Sequence, residues 1–154
     1  MKTVYLIACC KSQQKEGRLW KVRDLFAPGA RFRKMLEYAK LMTSEDNIFA
    51  LSTGHHLLLL DDELCPQDHP PTNKQKELME WGKVVIRQMK EKGLDLPNTK
   101  FVIFIKANYC EVLIPHLPHH ELPLKGLSWG ESLHKLDELI LRQKEMCSNG
   151  QGQK

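Results

Sequence analysis

Asn47-Ile48-Phe49-Ala50-Leu51-Ser52-Thr53-Gly54-His55-His56-Leu57 is the stretch whose reading decides the fold. Asn47 to Leu51 is an apolar run without an internal breaker, the pattern of a buried strand. The chain then turns small and hydroxylic at Ser52-Thr53-Gly54 and meets two histidines. Leu58-Leu59-Leu60-Asp61-Asp62 and the Pro-rich arm Cys65-Pro66-Gln67-Asp68-His69-Pro70-Pro71 follow. Ligands of open α/β sheets bind outside the carboxyl ends of the strands, and this composition at a strand exit suits such a place.

Two further runs read the same way. Lys2 to Ala8 is β-branched and aromatic, and Lys100 to Ile105 is continuously apolar. Helices are predicted between and after these strands. Arg31 to Thr43 carries Phe32, Met35, Leu36 and Ala39 at helical spacing. Thr72 to Lys92 carries Leu78, Trp81, Val84, Val85 and Met89, with Thr72 or Asn73 as cap and Gly93 as stop. A helical turn is expected over Tyr109 to Leu113, and a last helix from Leu133 to Met146. Strands alternating with helices predict a single three-layer α/β domain, residues 1–147. Its small, mostly parallel sheet is flanked by helices on both faces. The polar residues 148–154 are expected to form a disordered tail. Right-handed crossovers would bring the loops after Ala8, Leu51 and Ile105 to one edge of the sheet.

The bulk properties narrow the class. A chain of 154 residues with 42% hydrophobic and 27% charged residues is an ordinary globular composition, long enough for its own core. No apolar run reaches the roughly 20 residues of a membrane span, and the N-terminal run is too short for a signal peptide. A cytoplasmic location without a membrane partner is expected. The five cysteines include no Cys-x-x-Cys pair and read as reduced thiols. The net charge of +4 is mild, but nine Lys or Arg fall between Lys11 and Lys40 against three acids. Such a run is either a solvated face or a footprint for a polyanion.

The motif search excludes more than it selects. No Gly-x-Gly-x-x-Gly or Gly-x-x-x-x-Gly-Lys-Ser/Thr is present. The seven histidines lack the spacing of a metal site, so no metal and no cofactor is expected. Ser52 lacks the preceding glycine of a nucleophile elbow. A carboxylate near a histidine remains a sensible acid/base pair, which singles out Asp68, Ser52 and His55 as candidate catalytic residues. Lys11, Arg31 and Arg33 are candidates for phosphate, with Cys9 and Asn108 lining the site and Phe32 and Tyr109 as stacking surfaces. Lys125-Gly126-Leu127-Ser128-Trp129-Gly130 is either a phosphate cradle using Gly126 and Gly130 or a loop capped at Ser128.

With those residues in view, the chain resembles a family of small bacterial and phage domains of unknown function, distantly similar to YaaA-type peroxide-stress proteins. The resemblance lies in Ala8-Cys9-Cys10-Lys11-Ser12, Phe32-Arg33-Lys34-Met35-Leu36-Glu37-Tyr38-Ala39 and Ser52-Thr53-Gly54-His55-His56-Leu57. It continues through Pro66-Gln67-Asp68, Lys106-Ala107-Asn108-Tyr109 and Pro123-Leu124-Lys125-Gly126-Leu127-Ser128-Trp129-Gly130. The chain departs from the family pattern at His56 and Ala107, where glycine is usual, and at Gln67, where tyrosine is usual. The resemblance implies a connection to nucleic acid or to nucleobases.

The functional expectation is therefore a protein that binds DNA, RNA or a nucleotide-like small molecule at the carboxyl edge of the sheet. Base or N-glycosidic chemistry is the reaction class if it is an enzyme. The alternatives are a small-molecule enzyme without a polymer partner and a non-catalytic accessory module. Nothing in the sequence bears on the oligomeric state.

Overall fold

The computed structural model describes residues 1–67 and 74–152, with the side chains of residues 129 and 148–152 left aside. The elements follow in chain order as β1 (Lys2–Ala8), β2 (Trp20–Lys21), α1 (Val22–Leu25), α2 (Ala30–Met42), β3 (Ile48–Ser52) and β4 (His56–Leu59). They continue as β5 (Glu63–Leu64), α3 (Gln75–Glu91), β6 (Thr99–Phe104), α4 (Ala107–Leu113), β7 (His119–Glu121) and α5 (Trp129–Gly152).

Five strands form one sheet in the order β4-β3-β1-β6-β7. β1 is central and parallel to both β3 and β6, with Ile7 opposite Ala50 on one side and Phe104 on the other. β7 is also parallel, and only β4 runs antiparallel. The pleat sends alternate residues to opposite faces. Val4, Leu6, Phe49, Leu51, Phe101 and Ile103 pack against Leu78, Trp81, Val85 and Met89 of α3 and Cys110 and Leu113 of α4. Tyr5, Ile7, Ile48, Ala50, Val102 and Phe104 pack against Phe32, Met35 and Ala39 of α2 and Leu136 of α5. This is the three-layer α/β domain the strand–helix alternation predicts.

The two helices of the second face are tied by ion pairs from Lys34 to Asp137 and from Lys144 to Glu37. Among the described residues no helix is long and apolar enough to cross a membrane.

The sequence reading misses the short strands. The residues after Ser52 turn back at once as β4, paired Ser52 to His56 and Leu51 to Leu57. Three residues, Thr53 to His55, close this hairpin, and the return strand opens on a residue in the left-handed region that usually favours glycine. Here His56 takes that conformation, with φ of 63°. β7 is a three-residue edge strand at His119–Glu121. The long connection after β1 packs down, burying Val22, Leu25 and Phe26, and its β2 pairs with β5 through Trp20–Leu64 and Lys21–Glu63. α3 stops at Gly93, with φ of 80° and its N–H on Lys90 O at 3.0 Å, whereas Thr72 and Asn73 lie outside the described residues. α5 begins at Trp129 rather than Leu133, and its helical backbone runs to Gly152.

Candidate functional site

α2 follows β1 and covers one face of the sheet, whereas α4 follows β6 and covers the other. The loops leaving β1 and β6 therefore diverge to opposite faces, which opens a crevice at the carboxyl ends of neighbouring strands. A cavity of about 450 Å³ lies there. Its wall includes Cys9 to Gln13 after β1, Ser52, Thr53 and His55 after β3, and Ile105, Lys106 and Tyr109 after β6. The first turn of α2 contributes Gly29, Ala30 and Arg31; the arm after β5 contributes Cys65 and Gln67; α3 contributes Trp81.

Hydrogen bonds hold the floor. Trp81 donates its indole N–H to Ser52 O at 2.9 Å, and its ring meets that of Tyr109 edge to face at 4.9 Å. The Tyr109 hydroxyl shares a hydrogen bond of 3.0 Å with Thr53 Oγ1. Ser52 Oγ accepts the His55 N–H at 3.2 Å, closing the hairpin turn as a short local bond. Leu57 N–H donates to Gln88 Oε1 at 2.8 Å, so α3 also grips the return strand.

The rim is closed by a reciprocal pair. Gln13 Nε2 donates to Gln67 O at 2.8 Å, and Gln67 N–H donates to Gln13 Oε1 at 3.3 Å. One side-chain amide thereby occupies both backbone groups of the opposite arm.

Among the described wall residues the formal charge has one sign. Lys11, Arg31 and Lys106 line the cavity, and among the described residues no Asp or Glu does. Burial lowers the Arg31 pKa, but a guanidinium stays protonated at any physiological pH. Burial raises the thiol of Cys9 well above the usual range and also raises that of Cys10. Both are neutral thiols at pH 7, poor nucleophiles and poor metal ligands. Cys10 packs tightly: an added Cβ at Gly29 would lie 2.1 Å from its Sγ. Burial, with His55 and Arg87 nearby, lowers the His56 pKa. No group of His, Cys, Asp and Glu suited to a metal occurs among the described residues.

Of the residues singled out from sequence, Cys9, Lys11, Arg31, Ser52, His55 and Tyr109 line the one cavity. Phe32 does not. It is fully buried in the α2 core, 5.6 Å from Phe26, because its position falls on the helix stripe that faces the sheet. Arg33 is exposed and donates to Ala27 O at 2.6 Å. Asn108 is half-buried beside the cavity in α4, where its Oδ1 accepts the Tyr109 N–H at 3.1 Å.

Gly126 and Gly130 also lie off the cavity wall. Their turn caps its own helix: Glu131 N–H donates to Ser128 Oγ at 3.2 Å and Ser128 N–H to Glu131 Oε1 at 3.0 Å. These bonds hold the Glu131 carboxyl below its ordinary pKa. Asp68 lies outside the described residues, next in the chain to the wall residue Gln67.

Sequence reasoning missed Gln13, Thr53 and Trp81 as site residues. Trp81 belongs by spacing to the buried stripe of α3, yet a buried indole N–H needs an acceptor, and that need was the available signal.

A family model described as a family of unknown function, DUF6884, matches residues 4–138. No curated protein and no solved structure shows a significant match. The match takes in every strand of the main sheet and each wall of the cavity, and the chain belongs to the DUF6884 family.

Proposed function

We propose that the cavity at the carboxyl ends of β1, β3 and β6 binds a nucleotide-like ligand, an anionic group joined to a planar heterocycle. The observation that carries this reading is the one-signed wall: Lys11, Arg31 and Lys106 without a carboxylate among the described lining residues. A cationic ligand would meet no counter-charge from the described wall residues, and an apolar one would strip water from Lys11 without return. The first turn of α2 adds the positive end of a helix to the same side. About 450 Å³ is within the range of small-ligand sites.

Lys11 and Arg31 would meet the phosphate, and Ser52, His55 and the Thr53–Tyr109 pair would meet the heterocycle. Base or N-glycosidic chemistry belongs to this reading through Asp68, since the described wall offers no carboxylate of its own and its thiols are protonated. The resemblance to YaaA-type proteins read from the sequence motifs implies the same ligand class.

Thermal shift with nucleosides, nucleoside monophosphates and inorganic phosphate tests the reading. A nucleotide at one hundred times its Kd stabilises by about 2.7 kcal/mol and raises Tm by several degrees. The matching nucleoside raises it less, and Lys11→Ala or Arg31→Ala abolishes the difference. No shift with any nucleotide at millimolar concentration overturns the reading.

A further inference from the structure

Beside the cavity runs a second, shallower groove of about 580 Å³. The two share Lys11, Ser12, Gln13 and Gln67, so the groove is a continuation of the cavity mouth rather than a separate depression. Lys15 extends it away from the mouth, with Pro28 and Pro66 as stiff apolar edges. No Asp or Glu lines it among the described residues. The acid next in sequence, Glu16, faces Arg18 at 3.6 Å, and neither Lys11 nor Lys15 enters an ion pair among the described residues.

A site for a free mononucleotide needs positive charge only where its phosphate lies. Here the charge continues outward along a polar track that begins at the cavity mouth and holds no carboxylate among the described residues. We propose that the occupant of the cavity is one nucleotide of a single-stranded nucleic acid, whose adjoining backbone leaves along the groove past Lys11 and Lys15. The inference rests on the nucleotide reading of the cavity and extends it from a small molecule to a polymer. Its physical basis is general: proteins hold single strands in basic grooves that follow the backbone, while individual bases enter pockets. The groove is open and shallow, which suits a sugar–phosphate chain that needs cations and water rather than enclosure.

Fluorescence anisotropy with labelled four-nucleotide DNA and RNA strands, against the matching mononucleotide by calorimetry, tests the proposal over a NaCl series. The short strand is expected to bind at least about tenfold tighter than the mononucleotide at low salt. Its log Kd should rise against log salt with a slope of about 0.7 for each phosphate engaged. Lys15→Ala should weaken strand binding about three- to fivefold, lower that slope by about 0.7, and leave mononucleotide affinity unchanged. A strand that binds no tighter than the mononucleotide overturns the proposal while the nucleotide reading stands. Binding of neither overturns both. Equal binding of a blunt duplex, or displacement of the strand by polyglutamate at equal charge concentration, also overturns it.

Discussion

The indole N–H of Trp81 donates to the carbonyl oxygen of Ser52 across 2.9 Å, joining the middle of α3 to the exit of β3. Both partners are buried, Ser52 to 8% exposure and Trp81 to 6%. The bond therefore positions the cavity floor as well as stabilising the core. Trp81→Phe keeps most of the ring but removes the donor that Ser52 O accepts. The expected loss is about 1 kcal/mol by urea unfolding, together with weaker nucleotide binding. Unchanged stability and unchanged affinity would show that water replaces the bond without consequence.

Gly29 has no room for a side chain, because an alanine Cβ would lie 2.1 Å from Cys10 Sγ. Gly29→Ala should destabilise by about 1–3 kcal/mol, the range for overpacking. With Cys10→Ala in the same chain the nearest atoms are at 3.3 and 3.4 Å, and most of the loss should return. A double-mutant cycle with no coupling would refute the contact.

His56 holds a left-handed backbone with φ of 63°. Such a conformation strains an L-residue by roughly 1–2 kcal/mol, and histidine tolerates it better than β-branched residues do. His56→Gly is expected to change stability by no more than about 1 kcal/mol, since relief of strain offsets the greater freedom of the unfolded chain. His56→Val should lose about 1–2 kcal/mol beyond that. Equal stability of the two variants would sink the backbone argument.

The pH dependence has two limbs. Burial above all raises the pKa of Cys9, Cys10, Cys110, Tyr5 and Tyr38, with Cys110 pushed up to about 11 and Tyr5 to about 12. The folded chain keeps protons that the unfolded chain releases. Their stabilisation is complete below the ordinary thiol value of 9.0 and is lost as pH rises from there towards 12. His56 is shifted the other way, first by burial and then by His55 and Arg87. Its contribution is present above the ordinary value of 6.5 and is lost as pH falls through it. Urea midpoints measured from pH 5 to 11 should peak near neutrality. Tyr5→Phe with Cys110→Ala should flatten the alkaline limb; an unaltered slope would refute the assignment.

Cys65 and Cys147 are exposed, whereas Cys110 is buried and Cys9 and Cys10 are half-buried. At pH 8 a disulfide reagent should modify Cys65 and Cys147 first and the other three far more slowly. Because Cys65 borders the cavity and Cys147 does not, a bound nucleotide should slow only Cys65. Protection of both, or of neither under saturating nucleotide, would contradict the location of the site.

The sequence by itself determined the order of the main elements and the class of the fold. Unbroken apolar runs such as Lys2–Ala8 have no amphipathic alternative to a strand covered on both faces, and the helix stripes of α2 and α3 follow from spacing alone. It also determined which loops meet: parallel strands with helical crossovers leave Cys9, Ser52 and Tyr109 little choice but a shared edge. The short strands escaped because two or three residues, as in β5 and β7, carry no period and pair only where a partner edge is offered.

Tertiary structure alone decided the fate of individual side chains. Spacing made Phe32 eligible for either core or ligand, and the packing of α2 on the sheet put it in the core. Ser128 could have left its turn open to a phosphate, and the reach of Glu131 filled it instead. The absence of acids from the described cavity wall depends on how the arm after β5 folds back against Gln13, a contact between residues 54 positions apart. Local propensity cannot register such a contact, because its free energy exists only once the chain has closed the loop between them.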